Sequence, residues 1–490
     1  MEKIGQARQD SEIAAMTFND AKYIRKQMQI NNEEMYFIYT YVVIFSKDKK
    51  ELLQKVDKVE GILKGGGLIP KKAYFRQEQA FLSSLPFMEN NRDIKESAKR
   101  NILTDSIEIT YPFISSTIQD ENGILIGTNL YNNSLIFIDK FDKEKYKNSN
   151  MCIFGASGSG KSYFTKLIIL RLALQGITQY IIDPDREYES ICKELEGTII
   201  KIGPSSNTFI NIFDIRKESL EDSQNGYLET KLNKLKAFFN MIFSDLDDNE
   251  KSILEQKIIL TYKQKGITFE DKTLFKNKKF KETHDMPIMK DLYNNLDEKM
   301  KVKLLPFVNG SMKFLNNYTN VKLDNNIIIG DIYELEEENL KYGMFIFIEL
   351  FWDKIKQNRN IKKCIYLDEI WKLIGVTSNK DVASFIYKIF KTIRKYGGSA
   401  TSITQDVSDI FSLDNGIYGK SIINNSEFKL FFNLEEENIK ILEKYLSLSD
   451  KEKIEIKSEK RGECVMFVSK DHILAKIETS EYEKKVIGGD

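Results

Sequence analysis

The chain has 490 residues, of which 41% are hydrophobic, and its 73 basic residues balance its 73 acidic residues. A chain of this length accommodates two or three domains with substantial cores, and the apolar fraction excludes a disordered protein. A net charge of zero excludes a global field that attracts nucleic acid, so any such contact must be a local patch.

The first 145 residues predict a small α+β domain. A helix-like segment at 7–28 precedes the aromatic, strand-like run Met35 to Phe45, and an amphipathic stretch at 48–63 ends in three glycines. An extended piece at 68–74 and a helix at 77–84 complete a β-α-β-α rhythm. Short strands expected at 107–111, 124–128 and 134–138 lead into the next domain.

A phosphate-binding loop follows the apolar run Met151 to Phe154 and precedes a helical stretch at 163–174. Small residues let backbone N–H groups surround phosphate oxygens, and the helix N-terminus adds its positive dipole end. Lys161 is expected to meet the β- and γ-phosphates, and Ser162 to ligate Mg²⁺. A flexible Gly/Ser turn is the weaker alternative. The residues expected to bind the nucleotide are Gly155, Ala156, Ser157, Gly158, Ser159, Gly160, Lys161, Ser162 and Tyr163.

Alternating strands and helices after the loop predict a mostly parallel sheet with helices on both faces, an α/β fold. We assign residues 146–218 and 321–490 to this α/β domain. Between them, apolar residues recur at helical spacing and strand-like runs almost vanish, which predicts an all-helical insertion at 219–320.

A second motif, at 363–369, is an apolar strand that ends in adjacent carboxylates. Asp368 is expected to hold Mg²⁺, and Glu369 to polarise the attacking water as general base. Acidic residues also cap many strands and helices. The pair therefore indicates a catalytic site only in combination with the phosphate-binding loop.

Three further positions have both a catalytic and a structural interpretation. Gln405 ends the next strand, where it either senses the γ-phosphate or caps the strand. Arg394 is either a solvated, dipole-capping residue or an arginine finger for a neighbouring subunit. Asp183 and Glu187 either support the nucleotide site or begin a helix.

These motifs resemble the CagE/TrbE/VirB family of type IV secretion and conjugation ATPases, of the VirB-four type, which includes counterparts on Gram-positive integrative elements. The resemblance spans nearly the whole chain. Its strongest elements are the segments 153–162, 182–188, 366–373, 394–398 and 402–405.

The resemblance implies a RecA/HerA/FtsK-like P-loop NTPase motor with a helical insertion, preceded by an α+β docking domain. Because family members usually carry more sequence before this region, we expect the docking domain to be shortened here. It implies ATP hydrolysis with Mg²⁺, assembly into dimers or hexamers, and Arg394 as a finger that acts on a neighbouring subunit. The implied partners are membrane components of a type IV secretion or conjugation complex and the relaxase-coupling machinery.

Two alternatives stay open. A DNA translocase of the coupling-protein or FtsK/HerA kind shares the motor core, and its DNA contact would use a lysine cluster in a polar loop. That cluster consists of Lys272, Lys276, Lys278, Lys279 and Lys281. A scaffold that binds ATP but scarcely hydrolyses it is the other alternative, and Glu369 argues against it.

The sequence also predicts where the protein resides. Four single cysteines without a C-x-x-C pair, and only two histidines, favour a reducing compartment and argue against a zinc site. The apolar runs at 35–45 and 344–352 are too short to cross a bilayer, and Glu349 interrupts the second. Since no signal peptide is recognised, we expect a cytoplasmic protein, peripheral at the cytoplasmic face of the membrane.

Overall fold

The computed structural model describes residues 18–19, 21–30, 33–85, 91–109, 116–217, 226–374 and 380–488. The chain divides into two compact units, Met1–Ile114 and Ser115–Asp490.

Unit 1 contains a two-stranded antiparallel sheet and several helices. Strand β1 pairs with β2 over the register Met35↔Leu103 to Tyr39↔Lys99. A further helix covers residues 21–30. The elements of the unit are β1 (Met35–Tyr39), α1 (Lys49–Gly65), α2 (Gln77–Ser84), α3 (Arg92–Ala98), β2 (Lys99–Leu103) and α4 (Thr104–Ile109).

Two strand predictions in unit 1 are wrong. Residues 68–74 form no strand, and the described part of 107–111 belongs to helix α4. The partner of β1 is instead β2, whose sequence Lys-Arg-Asn-Ile-Leu has no strand-like alternation. An extended run becomes a strand only where a partner satisfies its backbone groups, and a short run does not reveal that partner. Of the helix predicted at 7–28, residues 7–17 and 20 lie outside the described residues.

Unit 2 is built on an 11-stranded sheet of order β4-β3-β15-β14-β13-β5-β12-β11-β6-β10-β7. Its strands are β3 (Ile124–Asn129), β4 (Leu135–Ile138), β5 (Met151–Phe154), β6 (Thr178–Asp183), β7 (Thr198–Lys201), β10 (Ile327–Asp331), β11 (Lys363–Leu367), β12 (Gly398–Thr404), β13 (Phe428–Phe431), β14 (Glu463–Val468) and β15 (Asp471–Ile477).

The seven strands from β13 to β7 are mutually parallel. The remaining strands extend the sheet in antiparallel pairs beyond β13. The central parallel strands read as continuous apolar runs, as β5 and β11 do, because both of their faces are covered.

Helices cover both faces of this sheet. On one face, α5 (Lys161–Leu174), α6 (Glu189–Glu194) and α18 (Glu481–Ile487) share a core with the inward residues of the strands. The opposite face carries α11 (Glu337–Lys356), together with the inserted helices and most of the remaining ones. Those remaining helices are α12 (Trp371–Ile374), α13 (Lys380–Thr392), α14 (Val407–Ile410), α15 (Ile417–Asn424), α16 (Glu436–Glu443) and α17 (Asp450–Ser458).

Of the insertion predicted at 219–320, the described residues 226–320 form helices, their connecting loops and a minimal hairpin of strands β8 (Phe275–Lys276) and β9 (Lys279–Phe280). Its helices are α7 (Tyr227–Ile242), α8 (Asp248–Gln264), α9 (Met289–Asn295) and α10 (Glu298–Asn309). Their apolar side chains belong to the same core as the sheet. The insertion therefore extends the core of the sheet rather than forming a separate one.

A buried cluster of charges joins this insertion to α11. Glu349, in the apolar run of α11, accepts from Lys231 at 2.8 Å, from Lys234 at 3.1 Å and from Arg216 at 2.8 Å. Lys234 also donates to Asp353, one turn further along α11, at 2.6 Å. Although burial opposes ionisation, these cations hold the pKa of Glu349 well below its usual value.

The expected first domain, 1–145, reaches past the boundary between the units. Strands β3 and β4 lie in unit 2, where β3 pairs with β15. This pairing places residues 124–138 at one end of the 11-stranded sheet. None of the helices in the described ranges is both long enough and apolar enough for a bilayer crossing.

We expect Glu349→Ala to lower the free energy of unfolding of the chain by about 3–5 kcal/mol, because it leaves three buried cations without their shared carboxylate. Urea denaturation measures this loss. Glu436→Ala removes an exposed carboxylate that pairs with Lys440 and Lys457, and is expected to cost far less because solvent screens these pairs. Equal costs for the two variants would contradict a stabilising role of the buried cluster.

Candidate nucleotide-hydrolysis site

Parallel pairing brings three loops to one edge of the sheet. Strand β12 lies between β5 and β11, with Thr404 opposite Phe154 and Ser402 opposite Leu367. The segments that follow these strands therefore meet at their common carboxyl edge, the usual position for a ligand in such sheets. They carry the phosphate-binding loop, the acidic pair and Gln405.

The phosphate-binding loop is tightly folded between β5 and α5. The Ser159 hydroxyl donates to the carbonyl of Ala156 at 2.7 Å, and the Ala156 N–H donates to the carbonyl of Asn433 at 2.8 Å. A Cβ added to Gly155 would lie 2.6 Å from Ser159 Oγ and 2.7 Å from Phe432 Cβ, so only glycine fits there. Ser157 and Gly158 are exposed at the tip of the loop.

Lys161 begins helix α5 and directs its ammonium into the loop. Its Nζ donates to the carbonyls of Gly155 at 2.7 Å and Ala156 at 3.0 Å. Burial lowers the pKa of Lys161, while Glu369 and Asp368 act in the opposite direction. Ser162, the next residue, is half-buried at the same helix N-terminus. The first N–H groups of a helix have no partner within it and are suited to bind phosphate oxygens.

Asp368 is buried at the end of β11 and is held by a neighbouring tyrosine. The Tyr188 hydroxyl donates to Asp368 Oδ2 at 2.8 Å. Tyr188 is itself positioned by Asp183, whose carboxylate accepts from the N–H groups of Glu187 and Tyr188, both at 3.0 Å. Asp183 thus caps the turn after β6 and supports the tyrosine behind Asp368. Burial raises the pKa of Asp368 to about 8, with the charge of Glu369 adding to the effect.

Glu369 has a strained backbone and a directed side chain. Its φ of 49° lies in the left-handed region, which a glutamate rarely adopts. The indole N–H of Trp371 donates to Glu369 Oε2. Burial raises the pKa of Glu369, and the hydrogen bond from Trp371 opposes that rise. The carboxylate is therefore oriented and partly desolvated, as a general base requires.

The residues at this edge fit a Mg²⁺-bound nucleoside triphosphate. A hydroxyl at Ser162 and a carboxylate at Asp368 are hard oxygen ligands, which Mg²⁺ prefers. The Lys161 ammonium, the close-fitting Gly155 and the N-terminus of α5 match the triphosphate chain. Tyr163, predicted to bind the nucleotide, is half-buried, and its hydroxyl hydrogen bonds with Thr479 Oγ1 at 2.8 Å.

Gln405 follows β12 directly and is exposed at the same edge, between the phosphate-binding loop and the acidic pair. Its position is compatible with the γ-phosphate sensor predicted from the sequence.

Arg394 lies far from this edge. It sits in a 3₁₀ turn, Ile393–Tyr396, that precedes β12, and its Nη1 donates to the carbonyl of Lys147 at 3.0 Å. The seven residues of β12 separate it from the carboxyl edge by ~20 Å. Since the side chain is exposed at the amino edge, it does not reach the phosphate-binding loop of its own chain.

The predicted lysine cluster surrounds the hairpin β8–β9. Lys272 pairs with Glu270, Lys276 lies 3.7 Å from Asp285, and Lys281 donates to the carbonyls of Lys265 and Gly266. Local partners thus engage three of the five lysines, which is typical of a solvated surface.

Three contacts at the site were not predicted from the sequence. They are the Tyr188 hydroxyl on Asp368, the Trp371 indole on Glu369 and the Asn433 carbonyl on the loop. The first two residues belong to segments that the family resemblance had singled out, so the resemblance was the available signal. Asn433 follows β13, and nothing in the sequence distinguishes it.

Comparison with known proteins gives concordant matches. The TraG P-loop domain family matches residues 127–482. Protein TraC of Escherichia coli (strain K12) is 23% identical over 431 residues, a match that covers 83% of this chain and 46% of TraC. The chain thus spans about half the length of this curated relative. The structure of VirB4 of Thermoanaerobacter pseudethanolicus aligns with a TM-score of 0.69 and 28% identity, covering 75% of this chain and all of that one.

We expect Asp368→Asn to raise the free energy of unfolding of the metal-free protein, and to raise it more at pH 8 than at pH 6. The folded-state pKa is raised to about 8, so ionised Asp368 disfavours folding and stability falls as pH rises toward that value. Asparagine does not titrate and keeps an acceptor for Tyr188.

Urea denaturation at both pH values measures the effect. The matched change Asp353→Asn should be destabilising instead, because Lys234 and other cations outweigh burial and lower the pKa of Asp353. A destabilised Asp368→Asn protein at pH 8 would contradict the shift.

Proposed function

The chain belongs to the TraG P-loop domain family, and from that membership we propose that it is an ATP-hydrolysing motor of a type IV secretion or conjugation machine. The family resemblance and the P-loop NTPase fold expected from the sequence are confirmed. The names of TraC and VirB4 support the assignment to this kind of machine.

The observation that carries the proposal is the meeting of Lys161, Asp368 and Glu369 at one sheet edge. These residues come from segments about 200 positions apart, yet the sheet register brings them together. Burial lowers the pKa of Lys161, and the charges of Glu369 and Asp368 oppose that effect. Generic nucleotide binding would need Lys161 and the loop alone. Here a buried carboxylate that accepts a hydrogen bond from an indole is present as well. This arrangement favours an enzyme that hydrolyses ATP over a scaffold that only binds it.

Each residue has a role in phosphoryl transfer. Lys161 binds the β- and γ-phosphates and offsets the charge that develops on them. Glu369 accepts the proton of the attacking water, and Gln405 orients that water. Ser162 and Asp368 would hold Mg²⁺, which neutralises phosphate charge when bound. Before the ion binds, Asp368 must release its proton, since its pKa is raised to about 8.

Arg394 is proposed as the arginine finger of a neighbouring subunit. Its exposure and its distance from the phosphate-binding loop of its own chain support action in trans. A planar guanidinium suits the spread charge of a transferring phosphoryl group. This role requires assembly into a dimer or a hexameric ring.

Unit 1 is proposed as the docking domain for membrane components of the secretion complex. Helix α1 buries none of its 17 residues, all of which the structure describes. Several large apolar side chains of the unit are exposed, including Ile69 at 80% and Phe75 at 98%. Exposed apolar surface of this kind supports an interface. This proposal predicts peripheral attachment to the cytoplasmic face of the membrane. Coupling to the relaxase machinery and any DNA contact are predictions of the same proposal.

Glu369→Gln is expected to lower kcat for ATP by about 10²–10⁴-fold with nearly unchanged ATP affinity, because the amide cannot accept the proton of water. Steady-state turnover and equilibrium nucleotide binding measure the two effects. Lys161→Ala should lose both binding and turnover, whereas Glu437→Gln, an exposed glutamate on α16, should retain both. Equal ATP turnover by wild type and Lys161→Ala would refute the proposed enzyme.

Mixing Arg394→Ala with Lys161→Ala subunits is expected to restore ATP turnover above that of either variant, with a maximum at equal proportions. In such a mixture an intact finger meets an intact phosphate-binding loop across an interface. Lys161→Ala mixed with Glu369→Gln is the matched control and should show no recovery, since β5 and β11 of one chain supply both residues. No recovery in the first mixture would count against a shared site.

A further inference from the structure

A short loop, residues 459–462, joins α17 to β14 beside the phosphate-binding loop. Strand β14 is antiparallel to β13, with Val465 opposite Phe431, so β14 starts at the edge where β13 ends. This is also the edge where β5 ends, because β13 and β5 are parallel. The pairing thus delivers residues 459–462, here named the β14 entry loop, to the nucleotide site.

The β14 entry loop contacts the phosphate-binding loop directly. A Cβ added to Gly160 would lie 3.5 Å from Gly462 N and 3.9 Å from Gly462 Cα. Gly462 has a φ of 86°, which favours glycine, and its carbonyl accepts from Ile477 N at 2.8 Å. On the other side, the Asn433 amide donates to the carbonyl of Lys457 at 2.8 Å. The loop is therefore held in place from both ends.

Two cations of the β14 entry loop are available for a ligand. Lys460 and Arg461 are exposed, and their side chains have no hydrogen bond or ion pair with any residue in the described ranges. Glu459 is buried, and burial raises its pKa to about 9, so it is neutral at pH 7 and does not offset the neighbouring cations. Glu463 accepts from the Lys460 backbone N–H at 3.2 Å.

The sheet order indicates which part of a nucleotide faces this loop. The acidic pair and Gln405 lie on the β12–β11 side of β5, and the transferring γ-phosphate must lie with them. The β14 entry loop lies on the opposite side, beyond β13. A nucleotide whose γ-phosphate lies there would extend its nucleoside end toward the β14 entry loop. Tyr163 faces this side too, since its hydroxyl bonds to Thr479, two residues after Ile477.

We infer that Arg461 is a nucleoside-binding residue, whose guanidinium stacks on the base of the nucleotide held by the phosphate-binding loop. This inference rests on the proposed function, because it requires the nucleotide to occupy that loop. A guanidinium is planar, permanently charged and weakly hydrated, so it stacks on aromatic rings better than an ammonium does. The exposed, unpaired side chain gives up no existing ion pair when it binds.

The test compares two ligands, ATP and inorganic tripolyphosphate, by equilibrium binding to the full chain. Arg461→Ala is expected to bind ATP about tenfold more weakly, equivalent to ~1.4 kcal/mol, and to bind tripolyphosphate with less than twofold change. KM for ATP should rise in proportion while kcat stays within twofold of wild type, because Arg461 lies away from Glu369. Arg461→Lys should recover only part of the ATP affinity, since the charge remains and the planar group is lost.

Lys470→Ala, an exposed lysine at the other end of β14, is the matched control and should bind both ligands like wild type. Unchanged ATP affinity in Arg461→Ala would overturn the inference and leave the proposed function intact. Equal losses for ATP and tripolyphosphate would overturn the nucleoside contact, since they would indicate a phosphate contact. Failure of the wild-type chain to bind ATP, or binding that survives Lys161→Ala, would instead refute the proposed function.

Discussion

The parallel register of β5, β12 and β11 is the constraint on which the rest of the site depends. Thr404 lies opposite Phe154 and Ser402 opposite Leu367, so the loops after these strands emerge side by side. A shift of one residue in β11 would turn Asp368 to the other face of the sheet. Burial on both faces fixes this register, because each strand must present apolar side chains to two cores.

The same edge concentrates groups that are unfavourable when they are isolated. Asp368 and Glu369 are buried beside each other, and Glu369 has a strained backbone. Hydrogen bonds from Tyr188 and Trp371 compensate part of this cost. Functional sites of this kind lower the stability of the folded protein. Here the raised pKa of both carboxyl groups reflects that lower stability. The buried charges between α7 and α11 are different, because Glu349 has three cationic partners.

Local patterns explain which parts of this protein the sequence predicted well. The strands expected at 124–128 and 134–138 lie close to those positions, at Ile124–Asn129 and Leu135–Ile138, because apolar periodicity and turn residues act over a few residues. Asp368, Glu369 and Gln405 were singled out for the same reason, since each follows a recognisable strand. Lys161 was singled out because the loop before helix α5 has a recognisable sequence. The strand β2 was missed because its pairing with β1 joins residues about 60 positions apart and leaves no local trace.

The sequence by itself determined the type of chemistry, a phosphate-binding loop with an acidic pair, because short contiguous segments encode both. Only the tertiary structure decided how these segments are assembled. It placed Arg394 at the amino edge, Tyr188 behind Asp368, and the insertion within the core of the sheet. It also brought Gly462, the residue after Arg461, close to Gly160 through the antiparallel start of β14. Contacts between residues hundreds of positions apart arise from strand order and packing, which no local pattern specifies.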